Sequence, residues 1–108
     1  MTEASLKTEI KKINDINDFS VELILDEKVE EALKKLKNAE KMLEKIIKDV
    51  DIEKKSVILI LHNIACCYQK MKNFENCVTY LEAVIYHYDG TLDSKYKVKN
   101  NLQCKKLI

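Results

Sequence analysis

Residues 57–88 read VILILHNIACCYQKMKNFENCVTYLEAVIYHY, and this stretch decides the fold. Its first half is apolar on nearly every side. The β-branched residues at its start make a strand the rival structure for Val57–Leu61, but the apolar character continues for longer than a typical strand. Apolar residues then recur on a period of 3.6 as far as Met71, which predicts a helix over residues 55–71.

The second half of the stretch predicts another helix, over residues 74–88. Its apolar residues share one helical face, and they are Phe74, Cys77, Val78, Leu81, Val84, Ile85 and Tyr88. Gly90 follows at the place where a left-handed C-terminal cap belongs. Because a helix that is apolar on most sides must pack between neighbours, residues 55–71 are expected at the centre of the fold.

The composition of the whole chain agrees with an all-α fold. The chain has 108 residues with one glycine and no proline, whereas sheets with tight hairpins need glycine at several positive-φ turns. Apolar residues make up 46% and charged residues 34%, which is typical of amphipathic helices around one core. We therefore expect residues 1–108 to form a single helical domain of four to five helices.

The N-terminal residues 1–19 predict a short, weakly ordered helix. Apolar residues recur there at helical spacing, but Asn14-Asp15 and Asn17-Asp18 are residue types that favour turns and caps. Either Ser20 or Asp26 supplies the N-cap of the helix that follows, and the sequence alone leaves both positions open.

Residues 20–50 contain the most regular helical pattern of the chain, over residues 27–50. Its apolar residues are spaced by three and four, and they are Val29, Ala32, Leu36, Ala39, Leu43, Ile46 and Val50. The same spacing suits a coiled-coil seam, so a structural subunit that oligomerises through this helix is an alternative hypothesis. Residues 92–106 carry few apolar side chains and predict a polar C-terminal helix.

The large and small residues of 58–91 resemble a tetratricopeptide repeat. With residue 58 as the first position, the characteristic positions of that family hold Leu61, Ile64, Ala65, Tyr68, Cys77, Leu81 and Val84. Family members have small residues where the two helices cross. Here these would be Ala65 and Cys77, with Tyr68 and Leu81 filling the space beside them. The resemblance implies antiparallel helix pairs stacked as a short right-handed solenoid.

A more degenerate second repeat fits residues 13–50, with residue 13 as the first position. Its positions hold Ile16, Phe19, Ser20, Leu23, Ala32, Leu36 and Ala39. Ser20 and Ala32 would then be its small crossing pair. The two frames are 45 residues apart, whereas the family repeat has 34, so the second helix and its loop would carry an extension.

The resemblance is incomplete at several positions. Lys72 stands where the family often has a glycine in the turn, Val84 where it often has alanine, and Asp89 where it often has the terminal proline. Lys99 falls where a third repeat would need a small residue. Residues 92–106 therefore fit a polar terminal cap better than a third repeat.

The resemblance also implies a binding surface on the concave side, lined by the first helix of each repeat. The residues expected there are Leu59, His62, Asn63, Cys66, Gln69, Lys70 and Lys97. Asn63 matches a position that holds a C-terminal carboxylate in some family members, but Asn17 and Val21 stand where such a site has a lysine and an asparagine. Binding of chaperone tails is therefore not expected. The partner would be a peptide or helix of another protein.

His62 and Cys66 are four residues apart, and with Cys67 and Cys77 they raise the question of a zinc site. Adjacent helical residues point about 100° apart, Cys77 is already assigned to the helix crossing, and no Cys-x-x-Cys pair occurs. No phosphate loop or hydrolase motif is present either. We expect no metal, no cofactor and no catalytic residue; a metal- or thiol-dependent enzyme is the weaker alternative.

The charge pattern argues against nucleic acid as a partner. The net charge is +1, from 19 basic and 18 acidic residues, and every basic residue is a lysine, so the bidentate fork of arginine is missing. No apolar run approaches the ~20 residues that span a bilayer, and the first residues do not resemble a signal peptide. The sequence thus predicts a cytoplasmic, non-enzymatic adaptor or scaffold module, working as a subunit of a larger complex.

Overall fold

A computed structural model of the chain describes residues 3–47 and 54–88. They form four α-helices, which are α1 (Glu3–Leu25), α2 (Val29–Ile47), α3 (Lys54–Lys70) and α4 (Phe74–Tyr88). The described residues contain no strand, so the all-α prediction is confirmed, and Val57–Leu61 belongs to α3. The helix expected over residues 92–106 and the cap at Gly90 lie outside the described residues.

The four helices pack compactly, each against its neighbour in the chain. α1 and α2 are joined by three residues, as are α3 and α4, so each pair is a helical hairpin. α1 also packs against α3, which therefore contacts α1, α2 and α4. Its apolar sides are covered by these three neighbours, as the sequence of residues 55–71 led us to expect.

The first hairpin turns at Glu27, whose φ of 64° lies in the left-handed region. The N–H of Glu27 donates to the carbonyl of Ile24 at 3.0 Å, and the N–H of Lys28 donates to the carbonyl of Leu23 at 2.8 Å. These two bonds are the Schellman arrangement, which satisfies the last carbonyls of a helix. A glycine usually occupies the left-handed position because it has no Cβ, so Glu27 holds a strained backbone.

The second hairpin repeats this turn at Lys72, whose φ is 62°. The N–H of Lys72 donates to the carbonyl of Gln69 at 3.0 Å, and the N–H of Asn73 donates to the carbonyl of Tyr68 at 2.8 Å. Each of these atoms lies 45 residues after its counterpart in the first turn. Lys72 is also the position at which the sequence lacks the glycine of the family pattern.

The same 45-residue offset relates the small residues that were expected at the helix crossings. Ser20 and Ala32 in the first hairpin are 0% exposed, and their counterparts Ala65 and Cys77 are 1% and 0% exposed. Ala65 and Cys77 pack in one cluster with Leu81, and the ring of Tyr68 lies against it. A larger side chain at any of these positions would displace a neighbouring helix.

α1 is longer and more regular than the sequence indicated. It is one helix of 23 residues, so no boundary falls at residues 19–20. Ser20 is not an N-cap but an interior residue, and its Oγ donates to the carbonyl four residues earlier at 2.7 Å. Asn14 and Asn17 do not form a turn because their side chains bond to α3 and therefore do not compete with the helical backbone of α1.

The residue before α2 is Lys28, so neither Ser20 nor Asp26 caps that helix. The carbonyl of Lys28 accepts the first helical bond from the N–H of Ala32 at 3.1 Å. Its counterpart before α4 is Asn73, a residue type with a capping side chain. The Oδ1 of Asn73 accepts from the N–H of Asn76 at 3.3 Å, which stabilises the start of α4.

The apolar stripe of α2 lies inside the molecule. Its residues Ala32, Leu36, Ala39, Leu43 and Ile46 are each at most 3% exposed. They form one core cluster with buried residues of the other helices. The side chains that a coiled-coil seam would present are therefore occupied within the chain. Of the helices that the structure describes, none is long and apolar enough to cross a membrane.

Candidate binding site on helices α1 and α3

The binding residues expected on α3 recur once per helical turn, at positions 59, 62–63, 66 and 69–70, and therefore lie along one side of that helix. His62 and Lys70 are exposed, and Leu59 is 39% exposed. The other three are half-buried, and they are Asn63, Cys66 and Gln69. Lys97 lies outside the described residues. The structure thus brings the predicted residues of α3 to one partly exposed surface.

Two hydrogen bonds between side chains join α1 to α3 beside this surface. The Nδ2 of Asn63 donates to the Oδ1 of Asn17 at 2.7 Å, and the Oγ of Ser56 donates to the Oδ1 of Asn14 at 3.0 Å. Asn17 is 6% exposed and Ser56 3%, so these bonds satisfy side chains that are largely shielded from water. We call the surface formed by Asn14, Asn17, Asp18, Leu59, His62 and Asn63 the α1–α3 face.

A cleft of about 200 Å³ opens on the α1–α3 face. Its lining is mixed, and consists of Asn14, Asn17, Asp18, Lys55, Ser56 and Leu59. The carboxamides can bond to the N–H and C=O groups of a peptide backbone, and Leu59 offers an apolar contact. Asp18 and Lys55 are exposed and place one charge of each sign beside these groups.

The α1–α3 face differs from a carboxylate site at the residue that Asn63 contacts. Asn63 donates to Asn17, a neutral side chain at the position where such a site has a lysine. The next residue, Asp18, is acidic and would repel a carboxylate. The face therefore suits an uncharged backbone segment better than a chain terminus.

His62 and Cys66 approach each other as their spacing indicated, with 3.9 Å between Sγ and Nδ1. Burial raises the pKa of the Cys66 thiol, and the Lys70 ammonium offsets only part of that effect. The thiol is thus protonated near neutral pH, when it is a weak nucleophile and a weak metal ligand. Within residues 3–47 and 54–88, no three His, Cys, Asp or Glu side chains are arranged to hold a metal ion.

Cys67 and Cys77 are core residues with free thiols. Burial raises the pKa of Cys67 to about 11, with a smaller contribution from Cys66 and an opposing one from Lys70. Burial also raises the pKa of Cys77. These thiols act as small apolar side chains that fill the helix crossing and the core around α3.

A polar network that the sequence did not indicate links α2 to α4. The ammonium of Lys37 donates to the hydroxyl oxygen of Tyr80 and lies 3.0 Å from the Oε1 of Glu40, to which the Tyr80 hydroxyl donates at 3.1 Å. Burial lowers the pKa of Lys37, but the bonds to Tyr80 and Glu40 outweigh burial and raise it. The Tyr80 ring also lies 5.7 Å from that of Tyr68, measured between centroids.

A larger cleft, of about 850 Å³, lies away from the α1–α3 face on the outer side of α2. Its lining is mostly charged, and consists of Glu30, Glu31, Leu33, Lys34, Lys35, Lys37, Asn38, Lys41 and Met71. Four lysines and two glutamates line it together with Leu33 and Met71, so it offers charges of both signs beside some apolar surface. It has the character of the solvated side of an amphipathic helix.

Comparison with protein-family models, with curated proteins and with solved structures finds no match to this chain. Any assignment of function therefore depends on the geometry and chemistry of the chain itself.

Proposed function

We propose that this chain is a non-enzymatic interaction module of tetratricopeptide-like architecture, an adaptor or scaffold that binds a peptide or helix of another protein on the α1–α3 face. The observation that carries the proposal is the repetition of one helical hairpin after 45 residues. The turns at Glu27 and Lys72 have a left-handed backbone conformation at the equivalent position and the same pattern of hydrogen bonds.

The packing order of the helices supports this architecture. In a solenoid of helix pairs, the first helix of one pair lies beside the first helix of the next, and these helices line one continuous surface. Here α1 packs against α3, and the contact between Asn17 and Asn63 holds them side by side. The buried small residues Ser20 and Ala65, at equivalent positions, allow each first helix to approach its partner closely.

The chemistry of the α1–α3 face supports a peptide as the ligand. The half-buried carboxamide of Asn14 lines the cleft and can bond to a peptide backbone, and Leu59 can pack against an apolar side chain. Lys70 at the end of α3 favours a partner with an acidic residue at the corresponding point. Lys97 would extend the same surface if residues 92–106 form the next helix.

Two other functions have less support. Oligomerisation through α2 would need Leu36 and its neighbours to leave the core, where they are fully buried. Thiol chemistry would need an ionised cysteine, and the raised pKa of Cys66 opposes this near neutral pH.

The proposal is tested by selecting ligands from a phage library of random linear peptides. The strongest synthetic peptide is then titrated into the labelled protein while amide NMR shifts are recorded. We expect shifts at Asn63 and Lys70 and a dissociation constant that Leu59→Glu raises at least tenfold. The glutamate would place a charge where an apolar contact is needed.

Phe19→Glu is the matched control, since Phe19 is 47% exposed and lies outside the α1–α3 face. The ammonium of Lys35 lies 5.3 Å from the centroid of the Phe19 ring, so a glutamate at position 19 can form an ion pair with Lys35. This variant should bind as the original chain does. Equal loss in both variants, shifts confined to α2 and α4, or a library that yields no specific peptide would each contradict the proposal.

A further inference from the structure

A third cleft lies between the two hairpin turns, at the end of the molecule where α1 and α3 finish. Its volume is about 530 Å³, and its lining consists of Ile24, Glu27, Val29, Gln69, Lys70, Lys72 and Phe74. Six of these residues form three pairs related by the 45-residue offset, namely Ile24 with Gln69, Glu27 with Lys72, and Val29 with Phe74. We call this surface the turn cleft.

The turn cleft has opposite charges on its two sides. The first turn contributes Glu27 and is preceded by Asp26, whereas the second contributes Lys70 and Lys72. All four residues are exposed, and none takes part in an ion pair within 4.0 Å among the described residues. Lys28 lies beside the first turn and Glu75 beside the second, and each offsets part of the charge there. The first side still has a net negative charge and the second a net positive one.

Exposed apolar side chains lie at the same end of the molecule. Leu25 in the last turn of α1 is 77% exposed, and Met71 and Phe74 at the second turn are 41% and 40% exposed. Such a concentration of exposed apolar residues is uncommon unless another molecule covers it. Burial of these side chains would supply a favourable free energy that the charges alone do not.

We propose that the occupant of the turn cleft is a second copy of this chain, related to the first by a two-fold axis. In such a dimer, residue i of one copy contacts residue j of the other and j contacts i. The axis therefore places the acidic first turn of each copy against the basic second turn of its partner. Glu27 meets Lys72 twice, and Leu25, Met71 and Phe74 become covered.

The test is sedimentation equilibrium of single and mixed charge-reversal variants. The surface is small, so the unmodified chain should form a weak dimer, with a dissociation constant on the order of 10–100 µM. Glu27→Lys and Lys72→Glu should each weaken it by roughly tenfold or more, since both symmetric contacts become repulsive. An equimolar mixture of the two variants should form a heterodimer, because each repelled pair becomes attractive again.

Glu44→Lys is the matched control, as an exposed charge reversal on α2 away from the turn cleft, and should leave the dimer unchanged. Leu25→Ser should weaken the dimer without a change in charge. Circular dichroism of each variant identifies any loss of helix. A monomer at millimolar concentration, or a mixture that fails to recover the dimer, would overturn the inference. Because Lys70 lines the turn cleft as well, peptide binding at the α1–α3 face is distinguished by the shift at Asn63 and by the Leu59→Glu variant, and these two readouts do not depend on the dimer.

Discussion

Burial of Cys67 changes the acid–base chemistry of its thiol. Burial raises its pKa from an ordinary value of 9.0 to about 11. The unfolded chain therefore loses this proton at a lower pH than the folded chain does. The resulting stabilisation is complete below about pH 9 and disappears as the pH rises through about 11.

The free energy of unfolding should fall between neutral pH and about pH 11. We expect this fall to be about 2 kcal/mol smaller in Cys67→Ala than in the unmodified chain. The measurement is urea unfolding of both proteins at a series of pH values. Burial also raises the pKa of Tyr80, but Tyr80 is present in both proteins and its contribution cancels in the difference. If the free energy of unfolding had the same pH dependence in both proteins, Cys67 would not be buried in solution, and the result would contradict the structure.

The Lys37–Glu40–Tyr80 network marks the limit of sequence reasoning for single residues. Lys37 and Glu40 are three apart on α2, which is a recognisable pair. Tyr80 is 40 residues from Glu40, and no local pattern connects the two. Only the packing of the second hairpin against the first brings the hydroxyl to the carboxylate. The burial of Cys77 could be predicted, by contrast, because its position on the apolar face of α4 follows from spacings within one helix.

At the scale of the elements, the two turns are the least favourable parts of the backbone. Glu27 and Lys72 hold left-handed conformations that glycine adopts without a steric penalty. Glu27→Gly and Lys72→Gly should each raise the free energy of unfolding by about 1 kcal/mol, measured by chemical denaturation. The gain is limited because glycine also increases the entropy of the unfolded chain.

Lys34→Gly is the control for these substitutions, since Lys34 is exposed inside α2 and has ordinary helical geometry. It should lose about 1 kcal/mol, the usual cost of glycine in a helix. If all three glycine variants were destabilised alike, the left-handed turns would not be present in solution.

The elements themselves could be predicted to different degrees. The apolar period placed the second hairpin within one residue, at Lys54–Lys70 and Phe74–Tyr88. The sequence did not predict the full length of α1, because Asn14 and Asn17 are residue types that favour turns and helix caps. The side chains of Asn14 and Asn17 bond to Ser56 and Asn63, which lie on α3. The sequence around residues 14–17 therefore does not indicate why these asparagines are tolerated inside α1.

At the scale of the whole molecule, the bond between Asn17 and Asn63 joins one hairpin to the other. A double-mutant cycle with Asn17→Ala and Asn63→Ala should give a coupling energy of about 1 kcal/mol. The control cycle pairs Asn17→Ala with Asn76→Ala, an exposed residue on α4, and should be additive. A coupling near zero for the first pair would mean that the hairpins do not stack through α1 and α3.

The sequence alone determined the helices of the second hairpin and the apolar stripe of α2. These follow from spacings within one helix, where the 3.6-residue period sets which side chains share a face. The tertiary structure decided that α1 continues through Ser20, that the α2 stripe is buried within the chain, and that Tyr80 reaches Glu40. It also placed Asn17 against Asn63, which assembles the α1–α3 face. Such contacts depend on how separate helices pack, and no local period records the distance between residues 40 or more positions apart.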